Sequence, residues 1–177
     1  MSAEDEYFET EIRSLAESRI ELARETWQEG ARLCESPIER RLLAALMSSA
    51  AILDGSAYLT IGTSEQVEGY RHRETLIVPQ LTIGRYRLDF GVVWYREGAG
   101  QILLAVECDG HDFHEKTKEQ AQRDKSRDRE IMSRGWPVIR FTGSEIFRDA
   151  SECAESVANV LFETWVRRVR PDMRGPI

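Results

Sequence analysis

Between Glu107 and His114 the chain gathers carboxylates and imidazoles within eight residues, Glu107-Cys-Asp-Gly-His-Asp-Phe-His114. Asp89 stands at the end of a neighbouring hydrophobic run. Hydrolysis of a phosphodiester needs three things: a cation to neutralise the phosphate, a water made nucleophilic, and a proton acceptor. Carboxylates such as Asp89 and Glu107 suit Mg²⁺ or Mn²⁺, and His111 or His114 could take the proton. Zinc fits less well, because oxygen ligands dominate and there is no cysteine pair. The competing reading is structural: Asp109-Gly110 is a turn and both histidines lie on the surface.

Two strand-like runs must position these groups. Arg85 to Tyr95 and Gln101 to Gly110 alternate in polarity, and side chains of a strand alternate between faces. Tyr86, Leu88, Phe90 and Val92 are therefore expected on one face, with Asp89 on the other. Glu107 and Asp109, two residues apart, share a face. If Glu97-Gly-Ala-Gly100 turns the runs into an antiparallel pair, Asp89 and Glu107 meet near one end. Carboxylates gathered on hydrophobic strands repel each other and lose hydration, and a divalent cation is the simplest compensation.

The remaining elements follow in order. Residues 4 to 34 read as a long helix whose stripe of Phe8, Ile12, Leu15, Ile20, Ala23, Trp27 and Ala31 is expected to pack on the core. Ser36-Pro-Ile-Glu39 is a helix start, with Ser as N-cap, Pro at the first position and Glu three residues after the cap. Glu39 is thereby explained as a capping-box partner. Residues around Asp54-Gly-Ser and Ile61-Gly-Thr-Ser read as loops about a short apolar piece. Glu74 to Leu81 reads as a strand in which Pro79 favours an edge or a bulge. Residues 115 to 134 form a highly charged helix closed by Gly135. Trp136 to Phe141 is a short strand expected to be buried on both sides. A helical segment from Thr142 and an amphipathic helix over 151 to 168 complete the chain, and the tail from Arg170 is expected to fray. On the charged helix Asp124, Arg127 and Asp128 share a face, a pattern that an ion-paired solvated helix also produces.

Composition sets the limits. A 177-residue chain, 41% hydrophobic and 31% charged, has enough apolar surface for one folded domain and is not of the disordered class. No run reaches the ~20 apolar residues that a membrane helix needs. Three widely spaced cysteines indicate neither a disulfide framework nor a zinc site, so a reducing cytoplasm is the expected location. The net charge of −7 is concentrated: residues 1 to 35 hold ten acidic and four basic groups, leaving the rest nearly neutral. A neutral core neither supports nor excludes nucleic acid, since local patches carry that interaction.

Taken together, Ser36-Pro-Ile-Glu-Arg-Arg-Leu-Leu, Arg87-Leu-Asp-Phe, Val106-Glu-Cys-Asp-Gly-His-Asp-Phe-His, Asp124-x-x-Arg127-Asp128 and Gly135-Trp-Pro-Val-Ile-Arg-Phe-Thr resemble the PD-(D/E)XK nuclease superfamily. Within it they are similar to the branch of very-short-patch-repair endonucleases. That branch includes a widespread bacterial family of uncharacterised domains and the homing nucleases with an EDxHD motif. The resemblance spans residue 36 to about 160. It implies an α/β fold: a restriction-endonuclease-like core with a mixed four-stranded sheet flanked by helices. Residues 1–35 are then a helical extension, 36–170 the nuclease-like domain and 171–177 a frayed tail. It further implies a metal-dependent DNA endonuclease using Mg²⁺ or Mn²⁺ and leaving a 5′-phosphate and a 3′-hydroxyl. Asp89 and Glu107 would hold the metal, with the Cys108 carbonyl as a third ligand. Glu39 would reach the site from the first helix, and His114, Asp124 and Arg127 match further site positions. Asp109 occupies the place where many members have Lys, so that role would pass to His114 or Arg127, or be absent. Lys116, Lys118 and Lys125 are expected to meet DNA from the charged helix. A non-cleaving nucleic-acid-binding protein and a ribonuclease are the alternatives, and oligomeric state stays open, a homodimer included.

Overall fold

The computed structural model describes residues 3–53, 59–110 and 118–170. In chain order the helices and strands are α1 (Ala3–Leu33), α2 (Pro37–Ser48), α3 (Ala50–Leu53), β1 (Leu59–Ile61), α4 (Ser64–Val67), β2 (Thr75–Ile83), β3 (Tyr86–Arg96), β4 (Gly100–Asp109), α5 (Lys118–Ser133), β5 (Val138–Thr142), α6 (Gly143–Arg148) and α7 (Ala150–Val169). The strands form one mixed sheet in the order β1-β2-β3-β4-β5. β2, β3 and β4 are antiparallel, while β1 runs parallel to β2 and β5 parallel to β4. The sheet thus has five strands rather than the expected four. The additional one is β1, the apolar piece that reads as part of a loop region; its three residues pair with Thr75 to Ile77.

Helices cover both faces. Leu42, Leu43 and Leu46 of α2 and Val157 and Leu161 of α7 pack with Ile77, Phe90, Val92, Ile102, Leu104, Val106 and Phe141 on one face. On the other, Ile131 of α5 and Trp136 pack with Leu76, Val78, Leu81, Leu88, Val93 and Ala105. Side chains alternate across each strand, so a sheet covered on both faces buries successive residues. β5 departs from expectation: it is the edge of the sheet, and apart from buried Phe141 its residues are partly exposed or exposed.

Local signals explain the boundaries. The Ser36 hydroxyl accepts from the Glu39 amide at 3.2 Å and Pro37 opens α2, as an N-cap and first-position proline should. Thr142 and Glu145 form a reciprocal capping box on α6, and Asp149 caps α7 through the amides of Ser151 and Glu152. After α5, Gly135 takes φ +86°, a left-handed conformation that a residue with a Cβ adopts at a cost.

Two expectations are corrected. The α1 stripe does not pack on the core along its length: Phe8, Ile12, Leu15 and Ile20 are 55% to 68% exposed, and only the end near Ala31 and Cys34 joins the core. The helix is far longer than the surface available to it, since 31 residues span roughly 46 Å. The second correction concerns β3. Tyr86 and Leu88 pack on the α5 face but Phe90 and Val92 on the α2 face, so the alternation changes phase at Asp89. β2 changes phase at the same height, because Val78 and Leu81 both pack on the α5 face. Gln80 lies there, opposite Asp89 and between the paired positions Pro79↔Phe90 and Leu81↔Leu88, with φ +53°. Pro79 lies beyond the reach of three-residue β1, where β2 is in effect an edge. Among the described residues no helix is long and apolar enough to cross a membrane.

The packing difference along α1 is measurable. Leu43→Ala, in a fully buried position, should lower stability by about 2–5 kcal/mol in urea unfolding. Leu15→Ala should change it by less than about 0.5 kcal/mol.

Candidate functional site

The phase change brings side chains of α2, β2, β3 and β4 to one end of the sheet. Glu39, on the first turn of α2, is buried. Its carboxylate does not return to the Ser36 amide, as a capping box requires. Oε2 instead accepts from the Glu35 amide at 2.9 Å and from Gln80 Nε2 at 2.8 Å. Among the described residues Oε1 has no hydrogen bond. Helix capping therefore falls to Ser36 alone, and Glu39 is turned towards β2.

Asp89 is held differently. Its Oδ2 accepts from the Cys108 amide at 2.6 Å, across β3 and β4, and no cationic side chain among the described residues pairs with it. Burial pushes its carboxyl up to about 6. The Cys108 amide opposes that rise, while repulsion from Glu39, Glu107 and Asp109 adds to it. Cys34 and Cys108 lie nearby; burial lifts the Cys34 thiol to about 12 and the Cys108 thiol strongly in the same direction. Both stay protonated near neutrality.

Glu107 is buried but compensated. Arg127 donates through Nη1 to Oε2 at 3.1 Å and through Nη2 to Oε1, while Arg140 Nε donates to Oε2 at 2.9 Å. Arg140 in turn forks onto Asp128, at 2.5 and 3.1 Å. Arg127 also donates to the Arg87 carbonyl at 3.0 Å. The shared face of Arg127 and Asp128 on α5 is thus a docking face for the sheet. Asp109 ends β4 exposed, in register with Thr142. Asp124 lies one turn before Asp128, lining a groove with Arg127. His111, His114 and Lys116 lie outside the described residues, Lys118 is described only as the first residue of α5, and Lys125 is exposed on that helix.

Gln80 and Arg140 were missed by sequence reading. Only Pro79 marked an irregularity near Gln80. Arg140 carried a clearer signal, a single charge inside the apolar run Trp-Pro-Val-Ile-Arg-Phe, which demands a partner when the strand packs.

With the geometry in view, comparison with known proteins becomes informative. A profile of REase_MTES_1575, a restriction-endonuclease-like family, matches residues 65–161, just over half of the chain. The chain belongs to this family. No curated protein and no solved structure matches it. The REase_MTES_1575 match includes Gln80, Asp89, Glu107, Arg127 and Arg140 and leaves out α1 and Glu39. Membership supports a nuclease-type assignment, and the five-stranded sheet between helices is compatible with a restriction-endonuclease-like fold.

A divalent cation can be tested against these residues. Among the described residues no three His, Cys, Asp or Glu side chains come together as a ready-made metal group. Glu39 Oε1 and Asp89 Oδ1 nevertheless carry no hydrogen bond among the described residues, and the repulsion on Asp89, which has no cation beside it among those residues, is what a hard ion relieves. Glu107 has roughly four lone-pair positions, of which the arginines occupy three, leaving one on Oε1. The donor set suits Mg²⁺ or Mn²⁺.

Two measurements follow. Folded Asp89 holds its proton more tightly than the unfolded chain does. The stability contributed by its neutral form is complete below pH ~4 and is lost as pH rises through about 6. Asp89→Asn, whose amide oxygen can still accept from Cys108, should therefore be more stable than the parent at pH 7.5 in EDTA, by about 1–3 kcal/mol, and equal to it near pH 4. At position 80, φ +53° favours glycine by ~1 kcal/mol. Gln80→Gly should thus unfold at higher denaturant than Gln80→Ala, although both lose the bond to Glu39.

Proposed function

We propose that the protein is a metal-dependent DNA endonuclease of the branch that includes the very-short-patch-repair and EDxHD nucleases. The observation that carries this reading is the pair of Glu39 and Asp89 at the end of the sheet, each with a carboxylate oxygen that has no hydrogen bond among the described residues, in a chain of a restriction-endonuclease-like family. Residues 36–170 would form the nuclease domain and residues 1–35 an extension to it.

Asp89 and Glu107 would hold Mg²⁺ or Mn²⁺, with Glu39 and the Cys108 carbonyl completing the protein's contribution. When bound, such an ion neutralises phosphate charge and lowers the pKa of water. The chain's own groups do the rest. Gln80 fixes the rotamer of Glu39 from β2. The Cys108 amide fixes Asp89. Arg127 and Arg140 hold the Glu107 carboxylate in place, and Arg127 is also a candidate for stabilising charge on the phosphate. Asp109 is an acid where many relatives in the superfamily carry Lys, so His114 is proposed to accept the water proton; an imidazole titrates near pH ~6.5. Asp124 would act from α5, and Lys116, Lys118 and Lys125 would meet the DNA backbone.

A second reading is favoured by one observation. Glu107 is already bound by two guanidiniums, as suits a protein that binds nucleic acid on this fold without cutting it. Supercoiled plasmid separates the two. Nicking or linearisation is expected with Mg²⁺ or Mn²⁺ and not in EDTA, with Asp89→Asn and Glu107→Gln at least about 10²-fold slower. His114→Ala should lose ~10² to 10⁴ in rate with folding intact, and His111→Ala much less. Binding of DNA without cleavage under any metal would select the second reading.

A further inference from the structure

A cavity of about 840 Å³ opens between the β2–β3 turn and α5, lined by Arg85, Tyr86, Gln122, Arg123, Asp124, Ser126 and Arg127. Three arginines face one carboxylate there, in a chain whose net charge is −7. The two ends of the cavity differ. Arg127 forms the inner end and is committed to Glu107 and the Arg87 carbonyl, so the cavity begins where the candidate site ends. Arg85 forms the outer end. Its guanidinium carbon sits 5.0 Å from the centre of the Tyr86 ring, and that of Arg127 sits 5.9 Å from the same centre. The Tyr86 hydroxyl is anchored to Glu130 Oε2 at 3.1 Å and accepts from Arg85 at 2.8 Å. Arg85 also pairs with Glu130 at 3.3 Å, but its side chain is 75% exposed, so that pair is weak and yields readily.

Resting on the nuclease reading, the geometry points to this cavity as a site for an unpaired nucleotide of the substrate strand. The base lies on the Arg85 guanidinium, which Tyr86 supports from beneath, and the adjoining phosphate meets Arg123. Flat guanidiniums stack on nucleobases, and every base offers a face regardless of sequence. Gln122 and Ser126 supply neutral hydrogen-bonding groups beside them. The volume has room for one or two nucleotides, and a base that lays its face on a guanidinium has left the stack of a duplex. A strand entering it must leave its partner, and it enters adjacent to Glu107. The substrate class is therefore nucleic acid with single-stranded character beside the scissile bond, such as a tail, a flap or the locally opened duplex of a supercoiled plasmid, in preference to a relaxed duplex.

The test uses binding with cleavage blocked. Fluorescein-labelled DNA is titrated with the full chain in EDTA as a single strand, as the blunt duplex of the same sequence, and as that duplex with a single-stranded tail. The single strand and the tailed duplex should bind more tightly than the blunt duplex. Arg85→Ala should remove about tenfold of that preference, and Arg85→Lys should recover little, because charge returns without the planar stack. Arg123→Ala should flatten the salt dependence of tail binding by about one unit. Equal affinity for all three probes, or equal weakening of all three by Arg85→Ala, would overturn the inference and make the cavity a backbone clamp. Metal-dependent plasmid cleavage together with an indifferent Arg85→Ala would overturn it while leaving the nuclease reading intact. Tail preference lost in Arg85→Ala, in a protein that cuts nothing, would support the site and overturn the nuclease reading instead.

Discussion

Mutual repulsion among carboxylates at one end of a hydrophobic sheet is the constraint to which the neighbouring elements answer. Glu39, Glu107 and Asp109, from α2 and β4, repel Asp89 of β3 there, and each of the four is accommodated by a different means. Glu107, the most enclosed of the three strand acids, is bound by two arginines, and Arg140 is braced by Asp128. Glu39 takes a backbone amide and the Gln80 side chain. Asp109 stays in solvent. Asp89 alone receives one amide and no cation among the described residues, so the electrostatic tension of the end of the sheet is concentrated on it. Unequal compensation leaves Asp89 the acid at this end of the sheet with the most to gain from an added positive charge.

Gln80 and Asp89 show how backbone geometry serves that arrangement. A regular strand would send every second residue to the same face for its whole length. Here both neighbours shift phase at the same height, and the shared irregularity frees the Asp89 side chain to bond the Cys108 amide while Leu88 and Phe90 remain buried on opposite faces. The left-handed φ of Gln80 is a local cost met by packing on either side, as strained residues near sites commonly are.

Much of the framework was legible in the sequence. The hairpin of β3 and β4, the capped start of α2, the closure of α5 at Gly135 and the approach of Asp89 to the Glu107 segment all follow from patterns that depend on near neighbours. The failures share a cause, which is that they depend on what lies across space. β1 is three residues long and gains its identity only from pairing with β2. Periodicity identifies α1 as amphipathic but says nothing about whether a surface exists to cover it. Alternation predicts one face for Tyr86, Leu88, Phe90 and Val92, and the phase change at Asp89 is matched by Gln80 on the neighbouring strand. Arg140 could have been found, since a solitary charge in an apolar strand requires a counterion; the missing information was that Glu107 and Asp128 supply it.

One helix therefore spans two physical regimes. At its C-terminal end α1 is fastened by Ala31 and Cys34 in the core, and Arg40 reaches back to the Ala31 carbonyl. Towards its N-terminus, among the described residues, it is held by its own hydrogen bonds and by local pairs such as Tyr7 with Glu11 and Glu21 with Arg24. Such exposed pairs contribute little, and most helical stability in proteins comes from tertiary packing, which the outer turns lack. Amide protons along α1 should consequently exchange with solvent on a graded scale, slowest beside the core and approaching coil rates at the outer turns. The rest of the fold should melt as a unit, whereas this one element loses its order turn by turn.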